Sequence, residues 1–187
     1  MHTILGVVVV TSLAFVGTMV DNYFAFAAQL LVTDRARFRR VSWAQALGVA
    51  SIVIIASAIG SLLTPIPLRW LGVLSLAPFG FALSAWRHRA TPREQNRRGG
   101  ITTFMITLAL GGDNLAVWIP LFRANGFLRA FSAAGTIALW ELLFLLSSQR
   151  LASHPRVVKW GADYAPTFMP FVYLCLAVLI LIECHTI

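Results

Sequence analysis

Charged side chains, and acidic ones above all, are scarce in this sequence. Only 7 of its 187 residues are Asp or Glu, and charged residues make up 12% of the chain, against about 25% in soluble domains. Hydrophobic residues account for 58%. This amount of polar surface cannot cover the core of a soluble protein. The composition therefore excludes a soluble globular domain and predicts an all-α, polytopic membrane protein.

Thiols are equally scarce, because Cys175 and Cys184 are the only two cysteines. Nine residues of helix would place them on opposite faces and about 13 Å apart along the axis. That separation is too large for a disulfide or for a shared pair of thiolate ligands. The sequence therefore excludes a disulfide framework and places no cysteine where it would make a site for a soft metal ion.

Apolar segments long enough to cross a bilayer recur along the chain. The first has no basic residues before it and carries Asp21, so we do not expect it to be a cleavable signal peptide. Six segments can be drawn, near residues 4–32, 42–64, 68–88, 101–122, 127–149 and 165–184. The sequence thus predicts six transmembrane helices joined by short connectors.

Basic residues lie in these connectors, as they do in membrane proteins whose orientation they set. The net charge of +8 is therefore no indication of nucleic-acid binding. Of the 15 Lys and Arg residues, the even-numbered connectors hold only Arg69, Arg123 and Arg129. Because Lys and Arg collect on the cytoplasmic side, we expect the odd connectors inside the cell and both chain termini outside.

An Asp-Asn pair occurs twice, deep inside an apolar segment each time. Asp21-Asn22 lies in the first segment and Asp113-Asn114 in the fourth. A charge at such depth costs about 2.5–3.5 kcal/mol on insertion scales, so an ionisable residue there indicates a functional site. The structural alternative is that each Asp only hydrogen-bonds neighbouring helices, but its recurrence at corresponding positions favours a function.

The positions of the two pairs also predict an internal repeat. Three segments in each half force the second half to enter the membrane upside down relative to the first, which is the inverted-repeat plan of many transporters. We therefore expect a first three-helix repeat over 1–90, a basic cytoplasmic connector over 91–100 and an inverted three-helix repeat over 101–187. Sites in such proteins lie near the midplane, where the repeats meet.

A carboxylate inside a membrane must be paired, solvated, protonated or bound to a cation, and no Lys or Arg lies deep within a segment. The other hydrogen-bonding groups at this depth are rich in oxygen: Asn22, Asn114, Thr18, Thr107 and Gln45. Oxygen ligands suit hard divalent ions such as Mn²⁺, Ca²⁺ or Mg²⁺. Two carboxylates also match one divalent ion or two protons, so we hypothesise metal/proton exchange at Asp21, Asn22, Asp113 and Asn114.

Several nearby residues are expected to support this site. Gly111 and Gly112 precede the second pair and would let the helix loosen, so that backbone carbonyls turn toward an enclosed cavity. Thr18 and Gln45 would supply further oxygens. Glu141, in the fifth segment, would be a proton relay or an auxiliary ligand, with snorkelling toward the membrane interface as the alternative.

Three stretches resemble a known family. At Asp21-Asn22, at 111–114 (Gly-Gly-Asp-Asn) and at 118–122 (Trp-Ile-Pro-Leu-Phe), the chain is similar to the cadmium-resistance transporters of the lysine-exporter superfamily. The resemblance covers essentially the whole chain, with weaker matches at 70–74 and 179–183. It departs from the family at Leu110, where the members we compare have Ala or Asn. The resemblance implies a six-span protein that exports divalent heavy-metal cations, nominally cadmium, against protons.

Other interpretations of the same residues are open. Superfamily relatives transport manganese, calcium or amino acids, and a pair of carboxylates can hold an organic ammonium group. An intramembrane aspartyl protease also uses two membrane aspartates, but its Gly-x-Gly-Asp motif is incomplete at Leu110. We expect no cofactor besides the transported cation and protons. The partners are the lipid bilayer and the metal ion, no nucleic acid is expected, and a homodimer stays open. The expected location is the prokaryotic plasma (inner) membrane.

Overall fold

The structure is a computed structural model that describes residues 3–31, 33–65, 67, 70, 72–87 and 100–183. It confirms that the protein is all-helical, and no strand occurs within those ranges. The predicted connector at 91–100 lies outside the described residues except for Gly100. The backbone of Asp21 is helical, whereas its side chain is not among those the structure describes.

Within the described residues, six α-helices and two short 3₁₀ segments follow one another. They are α1 (Ile4–Leu31), a 3₁₀ turn (Arg35–Arg37), α2 (Phe38–Leu62), a 3₁₀ turn (Gly72–Ser75), α3 (Leu76–Arg87), α4 (Gly100–Leu110), α5 (Gly112–Leu151) and α6 (Pro155–Glu183). The first two helices agree closely with the predicted segments. Thr3 begins α1, because its hydroxyl oxygen accepts a hydrogen bond from the Gly6 N–H at 3.2 Å.

The helical backbone differs from the predicted segments at three places. The fourth segment is interrupted at Gly111, and residues 123–126, predicted as a connector, are helical within α5, although the next stretch able to cross a membrane begins at Arg129, close to the predicted 127. The sixth helix begins at Pro155, ten residues before the predicted start, because proline is favoured in the first turn of a helix. At Asn125 the helical backbone is reinforced by the side-chain amide, which donates to the Leu121 carbonyl at 2.8 Å.

The central helix of the bundle is α5, which packs on every other helix. The start of α5 runs antiparallel along α1, and the Gln29–Thr103 hydrogen bond continues this register into α4. The register is fixed by three contacts: Gln29 to Thr103, Met19 to Asn114, and Phe15 to Trp118. Residue numbers fall along α1 as they rise along its partner. The stretch from α4 to Trp118 therefore behaves as one helical partner of α1 that is interrupted at Gly111.

The helix α5 folds back on itself. Phe15 stacks on both Trp118 and Trp140, with ring centroids 6.2 Å and 6.4 Å away. A straight helix would separate two residues 22 positions apart by about 33 Å along its axis, more than two side chains leaning toward one ring can bridge. Farther along, Phe144 contacts Tyr23 and Phe26 of α1. The second half of α5 therefore runs parallel to α1, and the chain reverses between the two tryptophans.

The remaining helices complete the bundle around α1 and α5. The α2 helix runs beside α4 and the first half of α5, from the Gln45–Thr107 hydrogen bond to the close approach of Gly60 to Ile119. Its last carbonyls, at Leu63 and Thr64, accept hydrogen bonds from the Arg123 guanidinium at 3.1 and 2.7 Å. The α6 helix packs on α1 and α3.

Membrane-crossing capacity is visible in the described helices. The segments Arg35–Leu62 and Arg129–Leu151 are long and apolar enough to span a bilayer, and Ile4–Val20 with Asn22–Leu31 would be a third if they form one span. The outward surface carries large apolar side chains, and Trp43, Trp70, Trp86 and Trp160 are each at least 60% exposed. Such a surface is unusual in soluble monomers and is typical of contact with lipid.

Helix α6 approaches α1 so closely that a β-carbon at position 161 has no room unless the ring of Phe24 moves. A β-carbon on Gly161 would overlap the ring of Phe24, whereas one on Gly135 would meet nothing within 4 Å. We expect Gly161→Ala to lower the free energy of unfolding by about 1–3 kcal/mol, the usual cost of overpacking. Thermal unfolding in detergent would show this, with Gly135→Ala as the matched control. Equal melting temperatures would contradict the close α1–α6 contact.

Candidate functional site

Both Asp-Asn pairs lie where their helix is discontinuous. Between α4 and α5 the chain makes a single turn at Gly111, and Asp113 falls in the first turn of α5. In α1 the segments Ile4–Val20 and Asn22–Leu31 meet at an angle of 51°, with Asp21 at the bend. Discontinuous helices are where membrane transporters expose backbone groups and place their binding sites.

Asp113 is buried, with 8% of its surface exposed. One carboxylate oxygen, Oδ1, accepts a hydrogen bond from the Asn114 backbone N–H at 2.8 Å. The other, Oδ2, accepts one from the Tyr173 hydroxyl of α6 at 3.0 Å. The helix N-terminus also favours negative charge at this position. Helix α5 therefore supplies the carboxylate, and both α5 and α6 orient it.

The two asparagines converge on one sulfur atom. The side-chain amide of Asn114 donates to the Met19 thioether at 3.7 Å, and the amide of Asn22 donates to the same sulfur at 3.8 Å. Asn114 is 1% exposed and Met19 is 2% exposed. The structure thus brings Asn22, Asn114 and Asp113 into one buried cluster that links α1, α5 and α6.

Some polar atoms in and beside this cluster have no hydrogen-bond partner within the described part of the chain. They are Asn114 Oδ1 and, one helical turn farther along α5, the indole N–H of Trp118. Residues four apart share a helix face, so an acceptor and a donor lie side by side without partners. Buried polar groups are nearly always paired, and such exceptions mark places where water, a ligand or an ion belongs.

Two of the predicted supporting residues have other partners. The Thr18 hydroxyl donates to carbonyls of its own helix, at Ala14 and Phe15. Gln45 accepts a hydrogen bond from the Thr107 hydroxyl at 2.6 Å and so ties α2 to α4. The structure therefore places Thr18 and Gln45 in bundle contacts near the site, with no hydrogen bond to Asp113 between them.

The two glycines before Asp113 have different surroundings. A β-carbon on Gly111 would overlap the side chain of Ile52 in α2, whereas one on Gly112 would meet nothing within 4 Å. Gly111 is therefore needed for close packing at the break. At Gly112 the helix has already begun, and space is open beside it.

Glu141 lies apart from this cluster. It lines a largely apolar cavity of about 540 Å³ between α2 and the second half of α5, which also contains Ser42 and Gln149. The side chain is 6% exposed, and neither carboxylate oxygen has a hydrogen-bond partner among the described residues. Burial argues against the snorkelling alternative, because a snorkelling carboxylate reaches the surface.

The ligand chemistry of the cluster is mixed. Within the described residues, no group of three or more His, Cys, Asp or Glu side chains is placed to hold a metal ion. What the cluster offers instead is one carboxylate, two amides, one phenol and one thioether. An ion bound there would meet few charged ligands. We therefore expect such an ion to be held weakly enough to be released.

Sequence reasoning missed two members of the cluster, Met19 and Tyr173. Met19 was overlooked because methionine in an apolar helix ordinarily fills core space. Its position two residues before Asp21 was the available signal. Tyr173 carries a hydroxyl in the middle of an apolar helix, and a buried tyrosine hydroxyl usually finds a partner. Its partner could not be identified without the register between α5 and α6.

Comparison with known proteins gives one result. The sequence model of a family described as cadmium resistance transporter matches residues 15–187. Neither a curated protein nor a solved structure matches the chain.

Proposed function

The chain belongs to the cadmium resistance transporter family, and on that premise we propose that it exports divalent heavy-metal cations in exchange for protons. Membership of a transporter family makes it a membrane transporter and not an enzyme. The aspartyl protease interpretation is thereby excluded. What the family match leaves open is the site, the coupling and the arrangement of the spans.

The observation that carries the proposal is the buried cluster at the two helix discontinuities. Asp113 is held by Asn114 and Tyr173, and the amides of Asn22 and Asn114 both donate to the Met19 sulfur at the interface of α1 and α5. Asp113 would be the charged ligand, with Asn22 and Asn114 as neutral oxygen ligands. Asp21, at the bend of α1, would supply the second carboxylate. The unpartnered oxygen of Asn114 supports a site built to receive an ion.

We propose six spans arranged as two inverted repeats. The order of contacts supports this arrangement: α1 is antiparallel to α4 and the start of α5 and parallel to the second half of α5. Each half would contribute one discontinuous helix with one Asp-Asn pair. The excess of Lys and Arg in the odd connectors supports cytoplasmic loops on that side and termini outside the cell.

Exchange follows from the charges at the site. A divalent ion leaving the cytoplasm would neutralise the two aspartates, and protons would neutralise them on the return. Glu141 would relay those protons. Its carboxyl group is buried and lines the α2–α5 cavity, which lies on another side of the bundle from the cluster.

Transport by purified protein in inside-out vesicles tests the proposal. Uptake of Cd²⁺, Zn²⁺, Mn²⁺ and Ca²⁺ would be measured side by side, with and without a pH gradient. We expect gradient-dependent movement of at least one divalent ion, with Cd²⁺ foremost. If no metal moves but an amino acid or amine does, the substrate class proposed here is wrong.

Removing the Tyr173 hydroxyl should weaken metal binding while leaving the fold intact. Tyr173→Phe deletes the hydrogen bond to Asp113 Oδ2, and loss of a group that orients a ligand typically costs 10–100-fold in metal affinity. The ion concentration for half-maximal uptake should rise about tenfold or more. Tyr164→Phe, at an exposed tyrosine of the same helix, is the matched control. Equal half-maximal concentrations in both variants would contradict the role of Tyr173.

A further inference from the structure

We propose that Met19 is a ligand of the transported cation and that its thioether selects soft divalent ions over hard ones. This inference rests on the proposed function, because it adds a sulfur to the oxygen ligands of the same site. It reverses the expectation that this chain has no soft ligand.

The position of the sulfur carries the argument. Met19 is buried in α1 and lies between two amides, Asn22 of its own helix and Asn114 of α5. A methionine that only fills a core contacts apolar side chains. Here the sulfur accepts two N–H groups that belong to the residues proposed as ligands. The thioether therefore lies in the cluster that contains Asp113. Asn114 links the two, because its side chain contacts the sulfur and its backbone N–H donates to Asp113.

The unsatisfied oxygen of Asn114 shows that this arrangement is incomplete. Its Nδ2 meets the sulfur while its Oδ1, at 1% residue exposure, has no partner in the described part of the chain. The terminal torsion of asparagine is broad and roughly two-fold, so half a turn exchanges the two atoms. A cation beside Met19 would then meet amide oxygens and the sulfur together, while the weak N–H···S contacts are lost.

The chemical consequence is selectivity. Thioether sulfur is a polarisable, soft donor that binds soft ions and contributes little to Mg²⁺, Ca²⁺ or Mn²⁺, which prefer oxygen. Cd²⁺ is soft and divalent, so it gains from the sulfur as well as from the carboxylate and amides. Cysteine cannot fill this role among the described residues, since Cys175 is exposed on α6.

The test compares two methionine variants in the vesicle assay. Met19→Leu keeps the volume of the side chain and removes the sulfur. We expect Cd²⁺ uptake to fall at least tenfold relative to Mn²⁺ uptake. Met105→Leu, the same change at a methionine of α4 that is 58% exposed, should leave the Cd²⁺/Mn²⁺ ratio unchanged.

The outcomes separate this inference from the proposed function. If Met19→Leu keeps the native ratio while Asp113→Asn stops transport, the thioether is not a ligand and the transport site stands. If Met19→Leu lowers the uptake of every ion equally, Met19 has only a packing role, and the inference is overturned. If Asp113→Asn also transports normally, the proposed site is wrong, whereas the absence of any metal uptake by the native chain would overturn the proposed function.

A second measurement does not depend on any variant folding. X-ray absorption at the cadmium edge, on the native chain loaded with Cd²⁺, should show one sulfur neighbour together with several oxygens. A shell of oxygens alone would overturn the inference even if the transport ratio changed.

Discussion

Vesicles that contain the Asp113→Asn variant are expected to accumulate no more Cd²⁺ than vesicles without protein. The variant removes the negative charge of the ligand, so a divalent ion loses its main electrostatic partner at a depth where no water replaces it. The shape of the side chain is kept, and its oxygen can still accept the hydrogen bond that Tyr173 donates at 3.0 Å. The loss should exceed about a hundredfold, the upper end for residues that only orient ligands.

The matched control is Asp163→Asn, the same change at an exposed position of α6. It should transport as the native chain does, and both variants should elute as folded protein and melt within a few degrees of it. Transport by Asp113→Asn at half the native rate or more would remove the central residue of the site.

The Glu141→Gln variant is expected to lose the dependence of uptake on the pH gradient while keeping metal-for-metal exchange. Glu141 is separate from the cluster at Asp113 and lines the α2–α5 cavity. Because glutamine matches the carboxyl group in size but cannot carry a transferable proton, binding of the ion should survive while its coupling fails. Net uptake driven by protons should fall by about a hundredfold or more, in the range that a proton-transferring side chain contributes.

Counterflow measures the two functions separately. Vesicles loaded with unlabelled metal should exchange it for labelled metal at the native rate in Glu141→Gln, without a pH gradient. This exchange is the internal control for folding and binding. If gradient-driven uptake is also native, Glu141 carries no coupling proton, and if both fail, it belongs to the binding site or to the core.

The location of the site could be predicted from sequence because the physical cost of a buried charge is local. Asp113 and Asn114 stand out in an apolar segment whatever the surrounding fold. The structure shows that both are buried and that Asn114 contacts Met19 in the other half of the chain. The same reasoning identified Gly111, where the helix breaks. In each case the prediction depended only on one or two residues and their immediate neighbours in the sequence.

The side-chain contacts between helices could not be predicted, because they depend on the register of one helix against another. The sequence alone does not tell which faces of α1, α5 and α6 meet, so the contacts of Met19 and Tyr173 were hidden. The polar groups of Gln45 and Thr18 hydrogen-bond Thr107 and a carbonyl of α1, and the supporting role of these two residues stays a prediction. The sequence pointed to cysteine as the usual soft ligand, and the thioether of Met19 is proposed only from its contacts in the structure.

The connector predicted at 123–126 differs from the expectation in its backbone. Helical backbone continues through Arg123 and Asn125, even though the chain reverses between Trp118 and Trp140. Pro120 also lies within the helix, where it forfeits one backbone hydrogen bond. Arg123 also gains partners at the end of α2.

The cluster draws its members from three helices, Met19 and Asn22 from α1, Asp113 and Asn114 from α5, and Tyr173 from α6. A cation held among them fastens those helices to one another, and so cargo occupancy and folding are one linked equilibrium. At a free ion concentration 100 times the dissociation constant, the folded state gains about 2.7 kcal/mol. The transported ion would thus raise the free energy of unfolding as the concentration of that ion rises. Turnover of the protein by chaperones and proteases would be fastest when no metal is present.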